Sequence, residues 1–339
     1  MKFLCVGVVT YGVLCAAEPK PDPMELPRIP HTPVAKARET FEVKPGFDLQ
    51  LAAAEPLVAD PIAMSFDAHG RLYVVEMIGY SERREANAGR IRRLEDTDGD
   101  GRFEKSVVFA DGLAWPTAVI CYNGGVFVGV TPKILFLKDT TGDGKADVNR
   151  TVLEGFGTGR SRLNVQAMFN SFRWGLDNRI HGCTSYMGGS VKDAAGNTVS
   201  LSGRNFSFDP RTLQLRGEDS TAQHGMSFDD AGRKFTCSNS SHLQALMYPS
   251  RYAGRNPHYA LPSQRVGIAA DGAAAEVFRL SSDEPWRIVR TRWRIAGQVR
   301  GPVEGGGRVS GYFTAATGIT IYRGDAMKGL CGNAFIADA

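Results

Sequence analysis

The sequence has little net charge, no long hydrophobic run and no haem motif. Its 40 basic and 36 acidic residues leave a formal charge of +4, which is too small to indicate a nucleic-acid partner. The apolar run at residues 3–14 is shorter than the roughly 20 residues that a membrane-spanning helix needs. Helical periodicity is nearly absent after it, and no C-x-x-C-H occurs. A polytopic membrane protein and a coiled coil are therefore excluded.

Glycine, in contrast, is abundant. It accounts for 39 of 339 residues, about 11.5%, against an average of about 7%. There is no collagen period and no long Pro-rich tract, so the excess predicts a fold with many turns.

The N-terminus has the pattern of a secretory signal peptide over residues 1–17. Lys2 precedes the apolar run, and small residues end at Ala17; a buried N-terminal strand is the alternative. We expect a Pro-rich leader at 18–40, a domain at 41–339, and export to the periplasm or the extracellular space, with any membrane association made through partners. The four cysteines that remain have no metal-site or haem spacing.

A 54-residue repeat organises the domain. The segments that begin at Ile62, Pro116, Asn170 and His224 align without a gap, and each is an apolar run, a turn rich in Asp, Asn and Gly, and a second apolar run. This is the pattern of a β-hairpin. Two further runs follow in the first two units, at 90–94 with 103–109 and at 133–137 with 148–153.

Four strands per unit at this period predict an all-β fold, a β-propeller of four-stranded blades. A fifth hairpin is expected at 318–338, after an insertion at about 249–317 in the fourth unit. About five blades are thus begun, and we expect the ring to be incomplete in this chain. An open ring would expose strand edges, so the chain is interpreted as the N-terminal part of a longer protein.

Two Asp-Gly loops resemble the first part of a calcium-binding loop. DTDGDGRFE places acidic residues at positions 1, 3, 5 and 9 and glycine at position 6, and DTTGDGKAD repeats the pattern with one threonine. Alternate residues of such a turn bring several oxygen atoms to one point, as a hard cation requires. The predicted ligands are the side chains of Asp96, Asp98, Asp100 and Glu104 with the carbonyl of Arg102, and those of Asp139, Thr141, Asp143 and Asp147 with the carbonyl of Lys145. The role would be structural, and the alternative is a pair of hairpin turns with solvated charges.

Polar residues occur where the inner strands of the third and fourth units begin. The aligned position is apolar in the first two units but is Asn170 and His224 in the next two, and Arg173 lies three residues after Asn170. Near the axis of a propeller, these side chains could hold a substrate hydroxyl and remove its proton. A hydrogen-bonded histidine at a blade junction is the alternative.

Several segments resemble a large family of planctomycete-type proteins labelled putative membrane-bound dehydrogenases or haem-binding C-x-x-C-H proteins. They are NSFRWGLDNRIHGCTS, QHGMSFDDAGRKFTCSNS, EPWRIVRTR, PVEGGGR and GYFTAATGITIYRGD. The resemblance extends from about residue 40 to the end. It implies a propeller similar to that of glucose and sorbosone dehydrogenases.

The resemblance also implies a redox role. A sugar or polyol would lose a hydride to pyrroloquinoline quinone, and electrons would pass to a cytochrome c-type acceptor whose haem c lies outside this chain. It makes His224 the candidate base and Arg173 the stabiliser of developing negative charge. Two alternatives stay open: a non-catalytic, calcium-stabilised propeller that binds carbohydrate or protein, and a truncated remnant.

Overall fold

The regular structure is almost entirely β. The computed structural model describes residues 19–159, 163–256 and 258–338, so the expected signal peptide at 1–17 lies outside the described residues. The strands are β1 (Pro61–Phe66), β2 (Leu72–Glu76), β3 (Gly89–Glu95), β4 (Lys105–Leu113), β5 (Ala118–Tyr122), β6 (Gly125–Val130), β7 (Lys133–Lys138), β8 (Val148–Phe156), β9 (Asn170–Trp174), β10 (Ile180–Cys183), β11 (Gly189–Lys192), β12 (Thr198–Ser200), β13 (Arg204–Phe208), β14 (Leu215–Ser220), β15 (Met226–Phe228), β16 (Lys234–Ser238), β17 (Ser241–Leu246), β18 (Arg265–Gly267), β19 (Ala316–Ile321) and β20 (Ala334–Asp338). The α-helices are α1 (Val34–Ala37), α2 (Ser250–Ala253) and α3 (Pro285–Ile295). Within the described part of the chain, no helix has the length and apolar character needed to cross a bilayer.

The chain divides into two compact units. The smaller comprises the described part of Met1–Thr32 and Phe278–Gly311, and the larger comprises Pro33–Val277 and Tyr312–Ala339. In the smaller unit, Arg292 of α3 holds Glu25 with two bonds of 2.7 and 2.9 Å. All the sheets belong to the larger unit.

Five antiparallel sheets follow one another in the larger unit. The first contains β1–β4, the second β5–β8 with β11 and β12, the third β9, β10, β13 and β14, the fourth β15–β18, and the fifth β19 and β20. The first strands of successive sheets lie side by side in the order β1, β5, β9, β15, β19. Four-stranded sheets arranged around their first strands are the blades of a propeller, so the predicted fold class is confirmed.

The series of sheets is open at β1. Ala63 packs towards the second sheet, whereas Ile62, Met64 and Phe66 alternate with it on the opposite face and are 48%, 62% and 58% exposed. Among the described residues, no other blade covers this face of the first sheet.

Asp side chains fold the inner hairpins locally. Asp67 accepts hydrogen bonds from the amides of His69 and Arg71 at 2.9 and 3.0 Å and from Arg71 Nε at 2.7 Å. Asp229 makes the same bonds in the fourth sheet, with Ala231 and Arg233. The Asp side chain of each turn accepts the backbone hydrogen bonds of that turn. The turn therefore depends on its own few residues, and this is why the repeat can be recognised in the sequence.

Phenylalanine rings fill the space between the second and third sheets. The fully buried rings there are Phe127, Phe156, Phe169, Phe172, Phe206 and Phe208. Their centroids lie 4.4–6.3 Å apart in tilted and edge-to-face pairs, the geometry that aromatic side chains prefer. This core holds β9 in place and thereby positions Asn170.

One hairpin joins an unexpected sheet. β11 and β12 lie between two strands of the third sheet in sequence, yet they extend the second sheet beyond β8. The close approach depends on two glycines, because a Cβ on Gly155 would lie 2.1 Å from the Ser190 carbonyl oxygen and one on Gly189 would lie 2.3 Å from that of Gly155.

Candidate functional site

His224 and Asn170 meet where the inner strands of the third and fourth sheets begin. The Asn170 Nδ2 atom lies 3.2 Å from His224 Nδ1, and the His224 Nε2 atom lies 2.8 Å from the Gln166 carbonyl oxygen. A carbonyl oxygen only accepts hydrogen bonds, so Nε2 carries the proton. Burial lowers the pKa of His224, which keeps the ring neutral near pH 7.

The second ring nitrogen of His224, Nδ1, carries no proton in this neutral form and can only accept a hydrogen bond. Asn170 Nδ2 bears two hydrogens, and its two shorter contacts are to the carbonyl oxygens of Gln223 at 2.8 Å and Met168 at 3.0 Å. The 3.2 Å contact to Nδ1 is the longest of the three. Nδ1 is therefore the basic atom of this site, because the Asn170 amide and His224 Nε2 already have hydrogen bonds to carbonyl oxygens.

Arg173 lies deeper along β9, beside the second strand of its sheet. Its Nη1 donates to the Phe172 carbonyl oxygen at 2.9 Å, and Arg173 is the cross-strand neighbour of His181. Burial lowers the pKa of Arg173, and among the described residues no carboxylate forms an ion pair with it. No hydrogen bond joins Arg173 to His224 or Asn170 there either. The structure thus brings two of the three predicted catalytic residues together and leaves the third apart.

The first acidic loop gathers four carboxylates. Asp96, Asp98, Asp100 and Glu104 each offer an oxygen atom, and these atoms lie within 4.8 Å of one another. Asp96 also accepts hydrogen bonds from the amides of Gly99 and Gly101 at 2.7 and 2.9 Å, and the pKa of Asp96 is lowered chiefly by the Gly101 amide. Four hard oxygen donors in a tight turn could bind a metal ion, and their chemistry suits calcium.

The second loop has the same backbone pattern but different surroundings. Asp139 accepts from the amides of Gly142 and Gly144 at 2.6 and 2.8 Å, just as Asp96 does. However, Arg93 Nη1 lies 3.6 Å from Asp139 Oδ2. Within the described ranges, its carboxylates do not form a group like that of the first loop. The Arg93 guanidinium already neutralises negative charge at this loop and therefore disfavours the binding of a metal ion there.

Gln166 is a site residue that the sequence did not indicate. It lies four residues before Asn170, and its carbonyl oxygen determines which nitrogen of His224 carries the proton. Continuing the repeat alignment four residues upstream of Asn170 reaches this position.

Several solved structures are similar to this chain at low identity. The PQQ-bound aldose sugar dehydrogenase of Streptomyces coelicolor is 12% identical, with a TM-score of 0.44 over 86% of this chain and 84% of that chain. A putative oxidoreductase (glucose dehydrogenase) of Thermus thermophilus is 13% identical, with a TM-score of 0.41 over 82% and 75%. The PQQ domain of pyranose dehydrogenase from Coprinopsis cinerea is 14% identical, with a TM-score of 0.38 over 66% and 51%.

Family membership comes from the sequence comparison. None of the curated proteins matches the chain. One family model matches residues 33–339, which include every strand of the propeller. The chain therefore belongs to the family described as Domain of unknown function (DUF7133).

Proposed function

We propose that this protein is an exported oxidoreductase that removes a hydride from a sugar or polyol with the help of a quinone cofactor. The observation that carries the proposal is the neutral His224, whose Nδ1 lone pair has, among the described residues, only the long contact of 3.2 Å to the Asn170 amide. The redox chemistry comes from the family resemblance of the sequence. The substrate hydroxyl would give its proton to His224 Nδ1 as the carbon atom that bears this hydroxyl is oxidised, and a bound quinone would supply the oxidant.

One side chain on the same strand as Asn170, although apart from the His224–Asn170 contact, suits pyrroloquinoline quinone. The Arg173 guanidinium has no acidic partner among the described residues, and its chemistry fits a carboxylate of that cofactor. When bound, the quinone supplies the two-electron oxidant. Asn170 orients His224, and Arg173 would hold the anionic group. Electrons would pass to a cytochrome c-type acceptor whose haem c lies outside this chain.

The test is reduction of an artificial electron-accepting dye by the protein incubated with calcium and pyrroloquinoline quinone. Glucose and sorbitol serve as substrates, and we expect His224→Ala to lower kcat about 10²- to 10⁴-fold. Because burial lowers the pKa of His224, activity should fall only below that lowered pKa, and His224→Gln should lose this acidic limb of the pH profile. His69→Ala, in an exposed hairpin turn, is the matched control.

Unchanged turnover in His224→Ala would show that His224 is not the base. A failure of the unaltered protein to reduce the dye with any aldose or polyol would favour the second candidate, a calcium-stabilised propeller that binds carbohydrate or protein without catalysis. The acidic cluster at Asp96–Glu104 supports that candidate.

A further inference from the structure

Two aromatic side chains lie at the same edge of the sheets as His224. Tyr80 follows β2 and Trp115 precedes β5, and their ring centroids are 5.4 Å apart at an angle of 58°. The two rings differ in exposure, since Tyr80 is 46% exposed and Trp115 only 2%. Tyr80 is therefore the ring of the pair that solvent reaches, and it packs against the buried Trp115.

Trp115, which packs against Tyr80, belongs to a buried apolar cluster. Trp115 packs with the buried Met77 and Met168 and with the partly buried Leu163 and Val165. Its backbone has φ +54°, which is uncommon for a bulky residue, and its indole Nε1 is buried without a hydrogen-bond partner among the described residues. Both features cost stability, and such costs concentrate at ligand-binding sites.

Gln166 connects the aromatic pair to the base. Burial raises the pKa of Tyr80, and the Gln166 side chain beside its hydroxyl opposes that rise. The backbone carbonyl of the same Gln166 accepts the His224 Nε2 hydrogen at 2.8 Å. Gln166 thus contacts Tyr80 through its side chain and His224 through its backbone carbonyl.

We propose that the face of Tyr80 is the platform for a pyranose ring, which it holds beside Gln166, the residue whose carbonyl bonds His224. This inference rests on the proposed function and narrows its substrate class. A pyranose has a flat face of C–H groups and a rim of hydroxyls, which matches an aromatic face beside a few polar groups. An open-chain polyol offers no such face, so the site selects cyclic sugars over polyols.

The experiment measures binding in the absence of any cofactor. The protein is titrated calorimetrically with the methyl glycosides of glucose, galactose and xylose, which stay in the ring form, and with sorbitol. We expect a glycoside to bind and Tyr80→Ala to weaken it about tenfold, the effect of losing about 1.4 kcal/mol of contact. Tyr80→Phe keeps the ring and should bind within about twofold of the unaltered protein.

Two further variants make the result specific. Tyr80→Leu fills the space without a flat ring and should bind as weakly as Tyr80→Ala, which guards against a loss caused by a cavity. Tyr252→Ala removes a tyrosine of similar exposure, 53%, on α2 and should leave binding unchanged.

The platform is wrong if the unaltered protein binds none of the glycosides, if it binds sorbitol equally well, or if Tyr80→Ala and Tyr80→Leu bind a glycoside as tightly as the unaltered protein. These results would leave the dye-reduction test of His224 standing. In an active enzyme, Tyr80→Ala should raise KM with little change in kcat, whereas His224→Ala lowers kcat. The two proposals can therefore fail separately.

Discussion

The substitution Asp177→Asn should destabilise the protein at neutral pH, and this destabilisation should disappear in acid. Asp177 lies in the turn between β9 and β10, where its Oδ1 is 3.1 Å from His181 Nε2 and 3.3 Å from the Arg179 amide nitrogen. Burial by itself raises the pKa of Asp177, but the bond to His181 and the bond from the Arg179 amide outweigh it, and the pKa falls to about 2.

The magnitude follows from that pKa. Against the ordinary value of 3.8, a folded-state pKa of about 2 corresponds to about 2.4 kcal/mol of stabilisation while the group is charged. The Asp177 side chain is 32% exposed, and solvent screening reduces the expected contribution to roughly 1–2 kcal/mol.

The pH dependence of this stabilisation has the sign expected for a carboxyl whose pKa is lowered by folding. Its stabilisation is complete above the unfolded pKa near 3.8 and disappears as the pH falls through the folded pKa of about 2. Urea unfolding should therefore show Asp177→Asn less stable than the unaltered protein at pH 6, about half as affected at pH 3, and nearly equal to it at pH 2. Asp111→Asn is the control, because Asp111 is exposed and its carboxylate forms no ion pair within the described part of the chain. A difference of constant size from pH 6 to pH 2 would refute the electrostatic reasoning and indicate a packing effect instead.

Two further predictions concern a buried carboxylate and the acidic loop. Glu76 is fully buried and is held by Arg90 at 2.7 Å and by the Ala59 amide at 2.7 Å, so Glu76→Gln should lower the free energy of unfolding in urea by about 3–5 kcal/mol. Glu154→Gln is the control, because Glu154 forms an exposed pair with Lys133, and it should cost less than about 1 kcal/mol. Equal costs would contradict the argument from burial. Removing calcium with a chelator should lower Tm by the equivalent of about 2.7 kcal/mol when the ion had been at a hundred times its Kd. Asp98→Asn should abolish most of this dependence of Tm on calcium, while Asp143→Asn should not. A Tm that does not change with calcium would show that the first loop binds none.

Much of the fold could be predicted because its signals are local. Each inner hairpin contains its own turn chemistry, and the Asp67 and Asp229 turns are completed by residues within four positions. The first acidic loop is equally local, since its four carboxylates lie within nine residues of sequence. The expected strands agree with the observed ones to within a few residues, as at β4, which begins at Lys105 rather than at residue 103.

The candidate site was predictable only in part. The alignment placed Asn170 and His224 at equivalent positions, and they are indeed in contact. It could not show that the Gln166 carbonyl binds the other ring nitrogen, or that Arg173 has its hydrogen bond to Phe172 instead of to either of them. Their catalytic roles stay predictions, as does the calcium role of both loops.

The sequence by itself determined the period of the blades, the turns within them and the acidic spacing of both loops, because these depend on neighbours a few residues apart. Only the tertiary structure decided what depends on the stacking of sheets. Arg93 of the first sheet lies against Asp139 of the second-sheet loop, β11 crosses to the second sheet over a pair of glycines, and Gln166 contacts His224 from 58 residues away. Such contacts join residues far apart in the chain, and no local pattern encodes which sheets, once packed, will bring them together.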